Sequence, residues 1–342
     1  MIGRGSMVFG AVRQLWEGIR EVNPDEVRGA LERPFLIGLF GRLGSGRATL
    51  ARALFGEDPS RGLAPELKVA GLETGVVQRV GRPDLALLLV DASQPDWSNE
   101  RRTAREIGAL GVPMLLILTH ADLLPQADQA SRAAATQFPD QPPELTVVVD
   151  PRDCLAVRLC LVGLILQTVH QLRLALAHRF PCLRRAVAED LVRETSRVNA
   201  QFALVSNLPA LVPVVGAVVG GMADALILTK NQAVLVYKLA GIYGRDLNDG
   251  MSILQEIAPV IGGAFVWRSL ARTAVGALPP FAAALPKTAI AYVGTYVVGE
   301  AARYYYEHDH KPPPATLRSF QKEALRRYRG LNDLITGRLS SE

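Results

Sequence analysis

The sequence is poor in cysteine and has no pair of cysteines at a metal-binding spacing. Its 342 residues include three cysteines, Cys154, Cys160 and Cys182, and all three fall in apolar stretches with helical spacing. A disulfide framework or a cysteine-based metal site is therefore not expected. We predict instead that the three thiols are buried in the core of a protein from a reducing compartment.

Charge is also scarce. Charged residues make up 21% of the chain, and 38 basic against 33 acidic side chains give a net charge of +5. A charge this small and dispersed does not indicate nucleic-acid binding, so we expect no nucleic-acid partner, whereas an anionic membrane surface is compatible with it. Apolar residues reach 49%, which makes part of the chain unusually apolar. No apolar signal segment with a cleavage site follows the first residues, so the expected location is cytoplasmic.

A glycine-rich stretch, residues 41–49, lies between the apolar run 35–40 and the apolar, helix-forming residues 50–55. A glycine-rich turn between a buried strand and a helix is typical of a P-loop, in which backbone N–H groups and the helix N-terminus hold phosphates. The stretch therefore predicts either a phosphate-binding loop or a strand-to-helix turn that binds nothing.

The loop keeps the glycines of the P-loop consensus G-x-x-x-x-G-K-S/T but not its other chemistry. Gly41 and Gly46 occupy the glycine positions, while Arg47 replaces the lysine and Ala48 the magnesium-binding hydroxyl. Arg47 retains the geometry to contact a phosphate bidentately. Thr49 is not expected to replace the hydroxyl, because one helical step turns it about 100° away. The candidate phosphate-binding residues are Gly41, Gly44, Ser45, Gly46, Arg47, Ala48 and Thr49.

Residues 34–150 alternate apolar runs with helical stretches. Continuous apolar runs of this kind predict parallel strands covered on both faces. The predicted strands lie at 35–40, 67–70, 84–90, 112–118 and 145–149. We therefore predict a doubly wound α/β sheet with the glycine loop at the carboxyl end of its first strand, where such sheets bind ligands.

The order of motifs resembles an Era-like GTPase domain of the translation-factor-related class. The glycine loop is followed by Asp-Leu-Ala-Leu-Leu-Leu-Val-Asp-Ala-Ser (84–93) and by Leu-Ile-Leu-Thr-His-Ala-Asp (116–122). In that family the motif N/T-K-x-D recognises guanine through its aspartate. Thr119 and Asp122 match the motif, and His120 stands in place of its lysine. The resemblance thus implies GTP or GDP as the cofactor, with Asp122 as the contact to the base.

The parts of that family that carry out hydrolysis are missing. Leu72 stands where the D-x-x-G motif has its magnesium-binding aspartate, and it comes only 26 positions after Gly46. This distance is too short for the first helix, a switch I segment with its threonine and a further strand. The usual S-A-K/L loop is replaced by residues 149–152. Because phosphoryl transfer depends on positioning and charge neutralisation, we predict a GTPase fold without catalytic residues and without magnesium ligands.

The second half of the chain is predicted to be helical and strongly apolar. The predicted organisation is an N-terminal helix over 8–30 within residues 1–32, the GTPase-like domain at 33–178, an apolar helical domain at 179–311, and a basic helix and tail at 312–342. A long apolar helix over 154–180 is expected to complete the α/β domain. Further helices are predicted at 183–207, at 214–243 with Gly244 as its C-cap, and at 248–276, 286–308 and 316–334.

Residues 208–246 carry a second resemblance. Their proline-rich apolar hairpin, Asp224, Gln232 and the ending Leu-Ala-x-x-Tyr-Gly (239–244) are similar to an uncharacterised helical domain found fused to Era-like GTPases and related to YcjF-type inner-membrane proteins. The resemblance, which extends over about 180–308, implies an architecture and a membrane association rather than an activity.

Residues 208–228 form the apolar hairpin and contain a single charge, that of Asp224. Twenty or so apolar residues are enough to cross a bilayer, but Pro209, Pro213 and the buried charge oppose a simple span. We therefore expect peripheral or re-entrant membrane association ahead of spanning, and a hairpin buried in a soluble bundle explains the same residues.

Three polar features of the helical half have competing interpretations. The cluster Asp224, Lys230, Asn231 and Gln232 is either a buried polar network or, as we favour, the cap of a helix bend. The His308-Asp309-His310 sequence is expected to be an exposed helix end, because its spacing does not place both rings on one helix face. The basic residues of the last helix, which either face solvent or bind anionic lipid, are Arg318, Lys322, Arg326 and Arg329.

These features favour a membrane-associated regulatory or scaffold protein, located at the inner face of the cell membrane, whose GTPase-like domain binds guanine nucleotide weakly or not at all. Two other functions stay open. One is an active GTPase with divergent motifs, and the other is a membrane-inserting protein whose α/β domain binds an unidentified protein partner.

Overall fold

The computed structural model describes residues 24–126, 128–205, 222–248, 253 and 287–335. The chain divides into two compact units, one formed by Ala30–Val187 and the other by Met1–Gly29 with Ala188–Glu342. Of the helix predicted over 8–30, only its end is described, within helix α1 (Pro24–Leu31). The helix predicted at 248–276 and most of the apolar hairpin fall outside the described residues.

A five-stranded parallel sheet forms the first unit. The strands are β1 (Ile37–Gly41), β2 (Leu67–Ala70), β3 (Leu85–Asp91), β4 (Met114–Thr119) and β5 (Thr146–Val148). They lie in the order β2-β1-β3-β4-β5, and every pair is parallel. All side chains from Leu85 to Val90 are inaccessible to solvent, so the centre of the sheet is covered on both faces. The predicted parallel sheet is confirmed. A parallel strand covered on both faces consists of consecutive apolar residues, which is the pattern that the sequence shows.

The helices that connect these strands are α2 (Arg47–Phe55), α3 (Val76–Val80), α4 (Ser98–Ala109) and α5 (Gln129–Gln137). The chain leaves β1 toward β2 on one side and returns to β3 on the other. The strand order therefore reverses between β1 and β3, which is the point where open α/β sheets form a crevice for ligands. The glycine loop directly follows β1 and lies at this crevice.

The single long helix predicted over 154–180 is wrong. The segment consists of α6 (Cys154–Val157), a π-helical turn (Arg158–Val162), α7 (Gly163–Thr168), a 3₁₀ turn (His170–Leu172) and α8 (Arg173–Arg179). Val169 takes non-helical angles, φ −122° and ψ 47°, and its side chain is buried. The two parts, Cys154–Thr168 and His170–Arg179, meet at 97° as a result.

The predicted burial of the cysteines is also wrong. Cys154 and Cys160 are exposed and Cys182 is partly buried, and all three are free thiols. On the same part of the segment, Leu155 and Leu159 are exposed as well. The helical spacing identified one apolar stripe, but in the structure only its later residues, such as Ile165, enter the core.

Within the described residues, the rest of the chain is helical. Its helices are α9 (Pro181–Val205), α10 (Met222–Ile242), α11 (Lys287–His308) and α12 (Pro314–Ile335). Gly244 follows the end of α10 and has φ +81°, a left-handed conformation that residues with a side chain rarely adopt. This confirms the prediction that Gly244 caps the C-terminus of the helix. Pro314 is the first residue of α12, where the missing N–H of proline has no cost.

A buried polar network connects α9, α10 and α11. The amide of Asn199 donates to Thr295 Oγ1 at 2.8 Å, and the amide of Gln232 reaches the same oxygen at 2.9 Å. Asn231 donates to Asn199 Oδ1 at 2.7 Å. Since Asn199, Gln232 and Thr295 are buried, the favoured interpretation as a solvated helix cap is wrong for Gln232. The side chain of Asp224 lies outside the described residues.

Among the described residues, no single helix is long and apolar enough to cross a membrane. By length and composition alone, the bent pair Cys154–Thr168 and His170–Arg179 meets that criterion together.

Candidate functional site

The glycine loop connects the end of β1 at Gly41 to the start of α2 at Arg47. Two of its glycines have left-handed backbone angles, with φ +87° at Gly44 and φ +91° at Gly46. Between them, the N–H of Ser45 donates to Arg42 O at 3.2 Å and closes a turn. Left-handed residues interleaved with ordinary ones form a concave backbone that can bind an anion, called a nest. The glycines that the sequence pattern singled out therefore create this conformation.

The first turn of α2 lies at the end of the loop. Gly46 is its N-cap, and no side chain caps the helix. The first N–H groups of any helix lack acceptors within the helix, so those of Arg47, Ala48 and Thr49 are available to a ligand. The partial positive charge of the N-terminus adds to the attraction for an anion.

Arg47 is partly shielded from solvent beside this helix N-terminus. Burial lowers the pKa of its guanidinium, which means that the charge has lost part of its hydration. Within the described parts of the chain, no carboxylate pairs with it. A partly dehydrated cation without a counter-ion, placed at the start of a helix, favours binding of an anion.

Arg42, the second residue of the loop, is already paired with a carboxylate of the same domain. Its Nε donates to Glu100 Oε1 at 2.6 Å and its Nη2 to Glu100 Oε2 at 2.9 Å, and the same group reaches the carbonyl of Asp96. The hydrogen bonds to Glu100 raise the pKa of Arg42. Glu100 is buried at 1% exposure, so this pair holds the loop against α4. No sequence pattern predicts this pair, because 58 positions separate the two residues.

Thr119, at the end of β4, contacts the glycine loop. It is fully buried, and its Oγ1 lies 3.1 Å from Ser45 O and 3.3 Å from Val90 O. The hydroxyl can donate to either carbonyl, which ties the glycine loop to the neighbouring strands. Thr119 thus joins the candidate site as a residue that positions the loop.

His120 adopts a left-handed conformation with φ +56° directly after β4. Its Nδ1 lies 3.3 Å from Asp91 Oδ1, at the end of β3. In the resembling family a lysine at this position lies along the nucleotide. Here the shorter ring turns toward a carboxylate of the neighbouring strand instead.

Asp122, the expected contact to guanine, has a basic neighbour. Nη2 of Arg152 lies 3.6 Å from Asp122 Oδ2 and 2.9 Å from Asp150 Oδ2. The hydrogen bonds with Arg152 lower the pKa of Asp150, while they raise the pKa of Arg152. The guanidinium therefore stands beside the oxygen atoms that the resemblance assigns to the base.

Pro151 packs directly against the loop. A Cβ added at Gly46 would lie 2.7 Å from Pro151 Cγ, which is closer than a Cβ atom approaches a non-bonded neighbour. Gly46 is therefore required both for its backbone angle and for this contact. The sequence showed that residues 149–152 replace the usual S-A-K/L loop, but not that the replacement touches the glycine loop.

The residues present fit a phosphate better than a magnesium ion. The nest, the helix N-terminus and Arg47 all attract an anion. In contrast, Ala48 offers no hydroxyl, and Leu72 is 8% exposed within the apolar core that contains Val76 and Val77. Neither position that the family uses for magnesium carries a ligand here.

Comparison with known proteins finds no family model that matches the chain and no curated protein that matches it significantly.

Proposed function

We propose that the unit Ala30–Val187 is a degenerate GTPase-like domain that binds the phosphates of a guanine nucleotide weakly, does not hydrolyse them, and serves as the regulatory or scaffold part of a membrane-associated protein. The observation that carries this proposal is the glycine loop. It keeps a backbone nest with the unpaired Arg47 at its end, while the residues for metal and water are absent.

The connection between α2 and β2 supports the loss of hydrolysis. Residues 56–66 are fully described and hold one isolated bridge, between Asp58 and Gly62, before the chain enters β2. In the resembling family this stretch contains switch I with its threonine and a further strand. Its shortness leaves no segment to close over a γ-phosphate and orient the attacking water.

Weak binding of the base is supported by the surroundings of Asp122. The Arg152 guanidinium lies 3.6 Å from one oxygen of this carboxylate and so competes with a base for it. The pair is an exposed one, with side chains 70% and 53% accessible, so it opposes the base only weakly. The lack of magnesium ligands weakens binding further, because the charges of a triphosphate are then met by Arg47 and backbone N–H groups alone.

In this arrangement each residue has a limited role. The N–H groups of the loop and of the first turn of α2 hold phosphate oxygens, Arg47 neutralises part of their charge, and Asp122 accepts from the base. Arg42 and Thr119 keep the loop in shape. Ala48 and Leu72 cannot supply the metal ligands that hydrolysis uses in the resembling family, so we expect the phosphate to stay intact.

The test is phosphate release from GTP by the whole chain in the presence of magnesium. We expect no release above the protein-free rate. Turnover that disappears in the Asp122→Ala variant would overturn the proposal and favour an active GTPase with divergent motifs.

A further inference from the structure

The last described helix, α12, carries a row of basic side chains along one face. Arg318, Lys322, Arg326 and Arg329 follow one another at steps of four, four and three residues, and all four are exposed. Such steps bring the side chains within about 80° of one another around the helix axis. The row, called here the basic row, is about 16 Å long.

The opposite face of α12 is already occupied. Ala324 is fully buried, and Tyr328 exchanges a hydrogen bond of 2.6 Å with Thr288 of α11 while its ring lies 5.8 Å from that of Tyr292. The helix therefore uses its apolar side for packing within the protein. The basic row faces outward, on the side of the helix away from these contacts.

Most of the basic row lacks a counter-ion. Within the described residues, Arg318, Lys322 and Arg329 have no carboxylate partner. Arg326 pairs with Glu323 at 2.7 Å, but the same carboxylate is also held by Arg327. The row thus presents more positive charge than the protein neutralises.

We propose that the basic row of α12 docks the protein on anionic phospholipid by electrostatic attraction alone. This inference deepens the membrane association in the proposed function and rests on it. A membrane is favoured over a nucleic acid because residues 208–228 of the same chain are 21 residues long with one charge, a composition suited to lipid. Basic residues near an anionic leaflet each strengthen binding about fivefold, and the attraction falls off within a Debye length.

The experiment is flotation of the whole chain with vesicles of phosphatidylcholine, with and without phosphatidylglycerol. The variant Arg318→Gln, Lys322→Gln, Arg326→Gln, Arg329→Gln removes the row and leaves Glu323 paired with Arg327. The matched control, Arg61→Gln, Lys68→Gln, Arg82→Gln, Arg105→Gln, removes the same charge from exposed positions in Ala30–Val187.

We expect binding only to the vesicles that contain phosphatidylglycerol, a loss of several hundredfold in the basic-row variant, and a much smaller loss in the control. Raising the salt from 0.1 M to 0.5 M should release the wild-type chain. Salt-resistant binding that the variant retains would overturn the inference but leave membrane association standing, through another segment. Absence of binding to both kinds of vesicle would overturn the docking inference and the proposed membrane association together. Tighter binding to a duplex RNA than to the anionic vesicles would overturn the assignment of the basic row to lipid.

Discussion

At the residue scale, the two arginines of the glycine loop have opposite roles. Arg42 and the buried Glu100 form a pair with two short hydrogen bonds, so Arg42 stabilises the fold. Burial lowers the pKa of Arg47, and no described carboxylate pairs with it, so under the proposed function it binds phosphate rather than stabilising the fold. Arg42 thus belongs to the structural part of the loop, and Arg47 to the part that we propose binds the ligand.

The Arg47→Ala variant should lower the affinity for GDP about tenfold or more, since hydrogen bonds to charged groups contribute about 1.5–3 kcal/mol. Its free energy of unfolding should not fall. Arg42→Ala should instead cost about 1.5–3 kcal/mol of stability, because the buried Glu100 would lose its charged hydrogen-bond partner. Fluorescence anisotropy with labelled GDP and urea unfolding measure the two effects. Equal losses of stability in both variants would contradict the distinction.

The parts of the candidate site that are formed by neighbouring residues could be predicted from the sequence, and the contacts between residues far apart in the chain could not. The glycine loop was located at the carboxyl end of the first strand because it directly follows an apolar run, whereas Thr119 and Asp122 were identified through the resemblance to the N/T-K-x-D motif. The contact of Arg42 with Glu100 and that of Pro151 with Gly46 join residues far apart in the chain. Neither contact leaves a local pattern, so only the folded structure reveals them.

At the element scale, strands were predicted better than bends. The five apolar runs correspond to five strands because an apolar run marks a strand locally in the sequence, both for the buried strands β1, β3 and β4 and for the more exposed edge strands β2 and β5. The bend at Val169 is not marked by proline or glycine, and apolar spacing continues through it. Apolar periodicity therefore predicted the helical conformation of most of the segment, but neither the bend at Val169 nor the exposure of Leu155 and Leu159.

Packing of α9, α10 and α11 gives a prediction at the same scale. A Cβ at Gly299 would lie 2.6 Å from Val192 Cγ2 and 2.9 Å from Leu235 Cδ2, so Gly299→Ala should overpack the three helices and cost about 1–3 kcal/mol. Gly330→Ala in α12 is the control, because no atom lies within 4 Å of its added Cβ. It should stabilise the protein by up to about 1 kcal/mol. Urea unfolding compares the two, and equal changes would disprove the close packing at Gly299.

At the scale of the whole molecule, an α/β unit and a helical unit share one chain, and the glycine loop belongs to the first. The proposed function assigns nucleotide binding to the loop edge of the sheet, and the further inference assigns membrane docking to α12. The apolar hairpin, which the sequence made central to membrane association, lies mostly outside the described residues, so that expectation stays a prediction.

The most direct measurement is a calorimetric titration of the whole chain with GDP and GTP, with and without magnesium. A loop without metal ligands predicts weak binding in which the two nucleotides differ little and magnesium gives no increase in affinity. Tight binding of GTP that requires magnesium would contradict the account, because it would show that other residues replace the missing ligands.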